Sequence, residues 1–435
     1  FFQVLSIVRQ LNLNSLMKQL LFLLVLFAAA SAQRLSAQGA ETSLSWSDDL
    51  CQRLDDLASE ADRVEHFTGI CVYDLTAGQP IYKHHAHKVM RPASTQKILT
   101  AVAALDRLGK DYAFRTTAMQ TGYMEGTTLM GNIVVRGGFD PMFSYGDLRQ
   151  MARAIHEAGI DSIGGQLIGD VSMTDGVRLG NGWCWDDVPS STTPYLTPLL
   201  FNHEQEINSR NTKCVEHPEE YFLLILLREL REAGVAVRDG ALGISTFPQN
   251  VAGTSRTLYT QEHTIEQMLG QMMKKSDNLY AEALFYLLGA SGKFSQAGWK
   301  DGARQVETFL QKIGVNMDHV VIADGSGLSL YNYVSPQDEV RVLCYAYQQP
   351  AIYTTLSPAL PVAGVDGTLE KRMKSGPAFR NVRAKTGSVK GVFTLAGYVT
   401  ASNGHILAFS IMCNGAMKGD AARAFQDKIC QAMAQ

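Results

Sequence analysis

Arg91-Pro92-Ala93-Ser94-Thr95-Gln96-Lys97 leads into a stretch whose apolar residues Ile98, Ala101, Val102, Leu105 and Leu108 recur at helical spacing. Pro92 stands just before it and Gly109 just after it, as helix ends prefer. The pattern predicts a helix over 93–108 with Ser94 at its N-terminus. Positions i and i+3 share a helix face, so the Lys97 amine falls beside the Ser94 hydroxyl. A serine is a weak nucleophile until a neighbouring base takes its proton. Lys97 can be that base only when neutral, which requires burial or a second cation nearby. The helix N-terminus adds free N–H groups and a dipole that favour developing negative charge.

Two further motifs follow downstream. Ser276-Asp277-Asn278 falls at the break between two predicted helices, the first opened by Thr264 and Gln267 at capping-box spacing. A hydroxyl and an amide two residues apart can point from such a turn into one cleft. The hydroxyl could relay a proton, and the amide could hold a substrate carbonyl. Lys385-Thr386-Gly387-Ser388 lies in a predicted strand. A lysine and two hydroxyls along a strand edge form a receptor for a carboxylate. Gly387 would let a substrate backbone approach closely, and an extended peptide could pair with the strand.

Around these motifs the chain alternates in style. Gly69–Tyr73 reads as a strand, and after the turn at Thr76–Pro80 a return strand starts at Ile81. Strands at 384–386, 392–399 and 406–413 and a closing helix at 420–433 end the chain. The middle differs: short strands at 128–136 and 166–171, Gly-rich turns, and helices at 147–158 and 219–233. Early and late segments therefore read as one catalytic unit, 40–111 with 259–435, interrupted by an inserted domain at 112–258. The fold class expected is α/β (α+β), an antiparallel sheet flanked by helices.

The chain has 435 residues, more than one compact core usually serves. Its net charge of −3 offers no basic excess, so no nucleic-acid partner is expected. Seven cysteines show neither CxxC nor zinc-ligand spacing, and the odd number leaves at least one unpaired in any disulfide scheme. Cys71 and Cys413 sit in apolar strand-like runs and read as small buried hydrophobes. The ten histidines contain no HExxH, and His84, His85 and His87 read as a solvated loop. Neither metal nor cofactor is expected.

Met17-Lys18, the apolar run Leu20–Ala30 and the exit Ala30-Ser31-Ala32 read as a signal peptide over 17–32. Eleven apolar residues rise about 16 Å, well short of a bilayer core of about 30 Å. The expected location is exported, periplasmic or elsewhere in the cell envelope, with peripheral membrane contact at most.

The three motifs in this order, S-x-x-K, S-D-N and K-T-G, form the signature shared by serine β-lactamases and penicillin-binding proteins. The flanking stretches Gly137–Pro141, Asp175–Gly180 with Trp183–Asp187, Asp324–Ser329 and Leu360–Leu369 resemble one branch in particular. That branch is the class C low-molecular-mass penicillin-binding proteins, the D-Ala-D-Ala carboxypeptidase/endopeptidase family, and the resemblance runs from about residue 45 to the end.

The resemblance implies a β-lactamase/transpeptidase-like fold and roles for particular residues. Ser94 would be the acylated nucleophile and Lys97 its general base. Ser276 would pass the proton to the leaving D-alanine. Asn278 would hold the acyl-side amide and contact Lys97. Lys385 would add positive potential and keep Lys97 neutral, while Thr386 and Ser388 bind the terminal carboxylate. The backbone N–H groups of Ser94 and Ser388 would form the oxyanion hole. Peptidoglycan stem peptides would be the substrates and β-lactam antibiotics the covalent inhibitors. The span between the first two motifs looks shorter than in full-length members, so one substantial insert is expected. Asp140 and Asp170 could meet a cationic stem-peptide side chain, although turn or cap residues are the plainer reading.

A serine β-lactamase would need a second base for the deacylating water, and no Glu-x-x-x-Asn loop stands between the first two motifs. An esterase or amidase of the same fold is the other enzymatic alternative. A non-catalytic envelope-binding protein fits poorly with intact Ser94, Lys97, Ser276, Asn278 and Lys385.

Overall fold

The computed structural model describes Met17 and residues 45–435, apart from 63–66, 191, 207–213, 239, 249–254 and 292–295. The expected leader, 17–32, lies outside the described residues except for Met17. The chain divides into two compact units, Phe1–Gln52 and Arg53–Gln435. All the chemistry below belongs to the second.

An antiparallel five-stranded sheet carries one wall of the site. Its strands are β1 (Phe67–Asp74), β2 (Gln79–His84), β12 (Arg383–Val389), β13 (Val392–Thr400) and β14 (Ile406–Asn414), in the order β12-β13-β14-β1-β2. The first and last parts of the chain thus meet along β1 and β14, which pair from Phe67↔Asn414 to Asp74↔Leu407. β12 pairs with β13 along its length; its other edge is bridged at Arg383↔Val362 and bonded from Ala384 N to Pro361 O, and among the described residues no strand pairs with that edge from Lys385 on.

Helices pack against this sheet. The helix predicted at 93–108 begins as a single 3-10 turn, Ala93–Thr95, and continues as α2 (Gln96–Leu108), after the first helix α1 (Trp46–Asp62). Gly109 ends it at φ 82°, where a side chain would be strained. Every residue of α2 from Gln96 to Leu105 is buried. A helix covered on all sides is a central helix, and that burial is what removes Lys97 from water. Ile98 and Val102 of α2 share one apolar core with Phe285, Val306 and Leu343 of three later helices.

The middle of the chain forms two other sheets. One has the order β10-β8-β6-β3-β11, with β3 at Ala113–Gln120, β6 at Ile133–Arg136, β8 at Leu167–Asp170, β10 at Leu242–Ser245 and β11 at Arg256–Thr264. A smaller one joins β4 (Tyr123–Glu125), β5 (Thr128–Met130), β7 (Ser162–Ile163) and β9 (Ala236–Val237). Helices α3 (Tyr145–Glu157) and α4 (Pro218–Glu232) bury Leu148, Ile155, Phe222 and Leu226 in a second core with Ile133 and Leu167. The sequence reading ended this region at 258. β11 nevertheless pairs with β3 along nearly its whole length, from Arg256↔Gln120 to Thr264↔Ala113, so that sheet runs on to Thr264. The alternation in Thr257–His263 is weak because most of its side chains are half-exposed, and the strand has no apolar face to read.

Helices α5 (Ile265–Lys274) and α6 (Asn278–Ala290) flank the second motif. Thr264 caps α5 through the predicted bond from Gln267 N, and Asp277 caps α6 by accepting from Tyr280 N. Then come α7 (Trp299–Lys312), α8 (Pro336–Gln348), α9 (Pro350–Ala359) and the closing α10 (Gly419–Ala434). None of the seven cysteines is in a disulfide, and Cys71 and Cys413 are buried as read. Among the described residues no helix is long and apolar enough to cross a membrane.

Candidate active site

Ser94 sits in the 3-10 turn that leads into α2, with Ala93 in the left-handed region at φ 47°. Two glycines make that turn possible. A β-carbon on Gly387 of β12 would stand 2.9 Å from Ser94 N and 2.8 Å from Pro92 O. One on Gly327, in the loop before α8, would stand 1.8 Å from Ala93 O. Gly387 was read as admitting a substrate backbone. In the structure its missing side chain admits the nucleophile's own turn. The close approach also sets the β12 backbone beside Ser94 N, the position expected for an oxyanion hole.

Lys97 is fully buried. Its Nζ lies 3.0 Å from Ser94 Oγ, 2.8 Å from Asn278 Oδ1 and 2.8 Å from Ser326 O. Burial pulls its pKa down from 10.5 to about 8, against the opposing pull of Asp324, Glu282 and Asp277. A neutral amine has two N–H groups and one lone pair. Asn278 Oδ1 and Ser326 O can only accept, so they take the two N–H groups. The lone pair is left facing the one partner that can donate, the Ser94 hydroxyl. Burial brings the neutral form within reach, and once the amine is neutral this arrangement leaves its lone pair for the Ser94 proton, as a general base needs.

Lys385 is fully buried as well. Its Nζ bonds Ser276 Oγ at 2.8 Å and Thr386 O at 2.7 Å. Burial first, and then the charge of Lys97, hold its pKa well below the usual lysine range. The sequence suggested that this lysine joins a carboxylate receptor. The structure buries the amine against the Ser276 hydroxyl. Ser276 itself is left-handed, at φ 60°.

Thr386 and Ser388 alternate with Lys385 and Gly387 along β12, as period two requires. Lys385 and Gly387 are buried, Thr386 is half-buried, and Ser388 is exposed. Thr386 Oγ1 donates to Thr368 Oγ1 at 2.7 Å. Asn278 reaches Lys97 as expected, but its Nδ2 is occupied by the carbonyl of Thr192 at 3.0 Å. The structure therefore brings Ser94, Lys97, Ser276, Asn278, Lys385, Thr386, Gly387 and Ser388 to one place.

Three buried acids support this site and were not singled out as site residues. Glu282, one turn beyond Asn278 on α6, accepts from Gly325 N at 3.1 Å and Ser326 N at 2.8 Å. Burial and Asp324 push its pKa up. Asp324 accepts from Trp183 Nε1, Gly327 N, Ser329 N and Asn332 Nδ2. Together these two acids lock the loop that presents Ser326 O to Lys97. Glu339 on α8 accepts from Thr95 and from Ser410, and burial raises its pKa to about 7. The signal for Asp324 lay in the Asp324–Ser329 stretch. Glu282 and Glu339 fall on apolar helix faces, and only an acid at a core position marks them.

Asp140 and Asp170 are already engaged. Asp170 bonds Arg136 Nε at 2.9 Å and caps Ser172 N, and Asp140 faces His263 Nδ1 at 2.7 Å. Among the described residues, the one grouping with metal-like spacing is Cys184, Asp186 and Asp187, not the histidines near residue 85. His85 stacks on Phe67 and bonds Thr68 O.

Comparison with known proteins agrees with the geometry. The model of the D-Ala-D-Ala carboxypeptidase 3 (S13) family matches residues 50–213 and 202–435. The chain belongs to this family. It is a serine-type hydrolase with the mixed α+β fold of its relatives. The D-alanyl-D-alanine carboxypeptidase DacB of Haemophilus influenzae is 29% identical over 81% of this chain and 86% of its own. A D-alanyl-D-alanine carboxypeptidase of an Actinomadura species is 28% identical over 85% of this chain and 81% of its own. The crystal structure of penicillin binding protein 4 of Haemophilus influenzae superposes with a TM-score of 0.77 at 26% identity. That match covers 86% of this chain and 98% of the other. The same Haemophilus protein has also been solved in complex with a β-lactam.

Proposed function

We propose that this S13 enzyme removes the terminal D-alanine from peptidoglycan stem peptides through an acyl-enzyme on Ser94. The observation that carries the reading is the buried Lys97 amine, 3.0 Å from Ser94 Oγ. Lys97 takes the Ser94 proton as Oγ attacks the D-Ala-D-Ala carbonyl. The Ser276 hydroxyl, bonded to Lys385, passes a proton to the leaving nitrogen and D-alanine departs. Water then attacks the Ser94 ester and frees the shortened peptide. Ser94 N and Ser388 N hold the oxyanion. The edge of β12 from Lys385 on receives the extended peptide, with the Thr386 and Ser388 hydroxyls at its carboxylate. Action on cross-linked peptides, as an endopeptidase, uses the same steps with a longer leaving group.

β-Lactams would acylate Ser94 in place of the peptide. The apolar run and small-residue exit near residue 30 support export to the periplasm or cell envelope. The separate strand orders of the three sheets support a catalytic domain interrupted by an insert. Purified protein and its Ser94→Ala variant, treated with a fluorescent penicillin and then with a stem pentapeptide, test the reading. Covalent label and released D-alanine in wild type alone are expected. Rapid destruction of the drug without D-alanine release would make the enzyme a β-lactamase.

A further inference from the structure

The turn that carries Ser276 is strained and needs to be held. Ser276 is a non-glycine residue at φ 60°, a conformation that costs on the order of 1–2 kcal/mol. Its neighbour Asp277 provides the hold. The Asp277 carboxylate accepts from Tyr280 N at 3.4 Å, Gln271 Nε2 at 3.1 Å and His203 Nε2 at 2.9 Å. Tyr280 and Gln271 lie on α6 and α5, the two helices that the turn itself connects. His203 comes from elsewhere: a short 3-10 turn, Asn202–Glu204, seventy-odd residues upstream.

His203 is built for this contact. Asn202, His203 and Glu204 are all left-handed, with φ of 48°, 55° and 55°. Three consecutive residues in that region aim one side chain at a cost ordinary loops avoid. The ring lies 6.2 Å from the Tyr280 ring, centroid to centroid, and is mostly buried. Glu204 beside it is buried and accepts from Phe201 N. The titratable groups around the imidazole are thus Asp277 and Tyr280 on α6 and Glu204 on its own turn, and Asp140 acts on Tyr280. Burial pulls the His203 pKa down, yet the Asp277 bond more than restores it. Burial pushes the Asp277 pKa up, and the His203 bond brings it below the usual carboxylate range. Each partner favours the charged form of the other.

We infer that His203 is a positioning residue of the acylation step, holding Asp277 so that the Ser276 hydroxyl stays on Lys385 and Asn278 Oδ1 stays on Lys97. This rests on the acyl-enzyme reading given above. His203 touches neither substrate nor Ser94, and it acts through Asp277 alone.

The test compares two variants of similar volume in the purified chain. His203→Gln retains an amide N–H that can donate to Asp277, and His203→Leu fills the space with no donor. The readouts are the saturating acylation rate constant with a fluorescent penicillin, the drug concentration at half-saturation, and the melting temperature. His203→Gln is expected within about threefold of wild type, and His203→Leu about tenfold slower, as loss of a bond to a charged group implies. Half-saturation should be unchanged in both. Equal losses in the two variants, in rate or in melting temperature, would assign His203 to packing and overturn the inference, as would two variants both equal to wild type. A wild-type protein that takes no label at all would fail the acyl-enzyme reading instead.

Discussion

Two segments grip Lys97 from opposite sides, and they are held in different ways. The loop Asp324–Ser329 presents Ser326 O, and the turn Ser276–Asn278 presents Asn278 Oδ1, each 2.8 Å from Nζ. The loop is fixed by Glu282 and Asp324, two acids buried to about 1% exposure that together take backbone N–H groups from four of its residues. The turn is fixed through one carboxylate, Asp277, shared among three donors, one of which arrives from a distant turn. Its amide also reaches Thr192 O. The comparison teaches that one jaw is anchored by several buried backbone bonds and the other through a single shared carboxylate.

The sharpest way to break that picture is at the grip itself. Ser94→Ala should abolish covalent labelling, and Lys97→Ala should slow acylation roughly a hundred- to ten-thousand-fold. Stopped-flow labelling of both variants reads this directly, and residual fast acylation in Lys97→Ala would remove the lysine from the centre of the comparison. Lys385→Ala comes next. Because Nζ sits on Ser276 Oγ, losses of about a hundredfold are expected alike on a carboxylate-bearing peptide and on a neutral ester. A loss confined to the peptide would restore the carboxylate-receptor role read from the sequence.

The jaw anchored by backbone bonds is tested by stability. Asp324→Ala leaves the buried Gly327 N and Ser329 N and the part-buried Trp183 Nε1 without their acceptor and should lower the unfolding free energy by about 3 kcal/mol or more. Chemical denaturation measures it. A change within error would mean that the loop is not held by its acids. Acidity probes both jaws together. Lys97 has its pKa lowered to about 8, and only the neutral amine can take a proton. Acylation should therefore be complete above pH 8 and fall about tenfold per unit as pH drops below it. A rate flat from pH 6 to 9 would contradict the base assignment. The smallest effect is expected at Thr368→Val, which removes the partner of Thr386 Oγ1. The peptide KM should rise a few-fold with kcat unchanged, for a bond worth about 1 kcal/mol.

Where the sequence could be read and where it could not follows from the same physics. The Ser94 helix, the capping of α5 at Thr264 and the hairpin of β1 and β2 were legible because spacing and end residues are local signals. The three motifs were legible because their residue types are costly to keep without chemistry. β11 was not legible because its side chains are half-exposed and its pairing with β3 spans over a hundred residues. The closeness of Gly387 to the Ser94 turn was not legible, since a glycine's vacancy does not say what fills it. The full burial of Lys385 was not legible, because a lysine in a strand carries no local sign of what covers it. Glu282, Glu339 and His203 act across long separations through single contacts, and no local pattern announces them.

The glycines that clasp the Ser94 turn bear on how this enzyme can change over generations. Any single-nucleotide, amino-acid-changing mutation of a glycine codon adds at least a β-carbon. At residue 387 that carbon would strike Thr394 Oγ1 and Pro92 O, and at residue 327 it would strike the Ala93 backbone. Both paths to a roomier nucleophile are closed at the first step. Variation in what the enzyme accepts, including escape from a drug, is channelled away from this clasp, to positions such as Thr368 that do not touch the Ser94 turn.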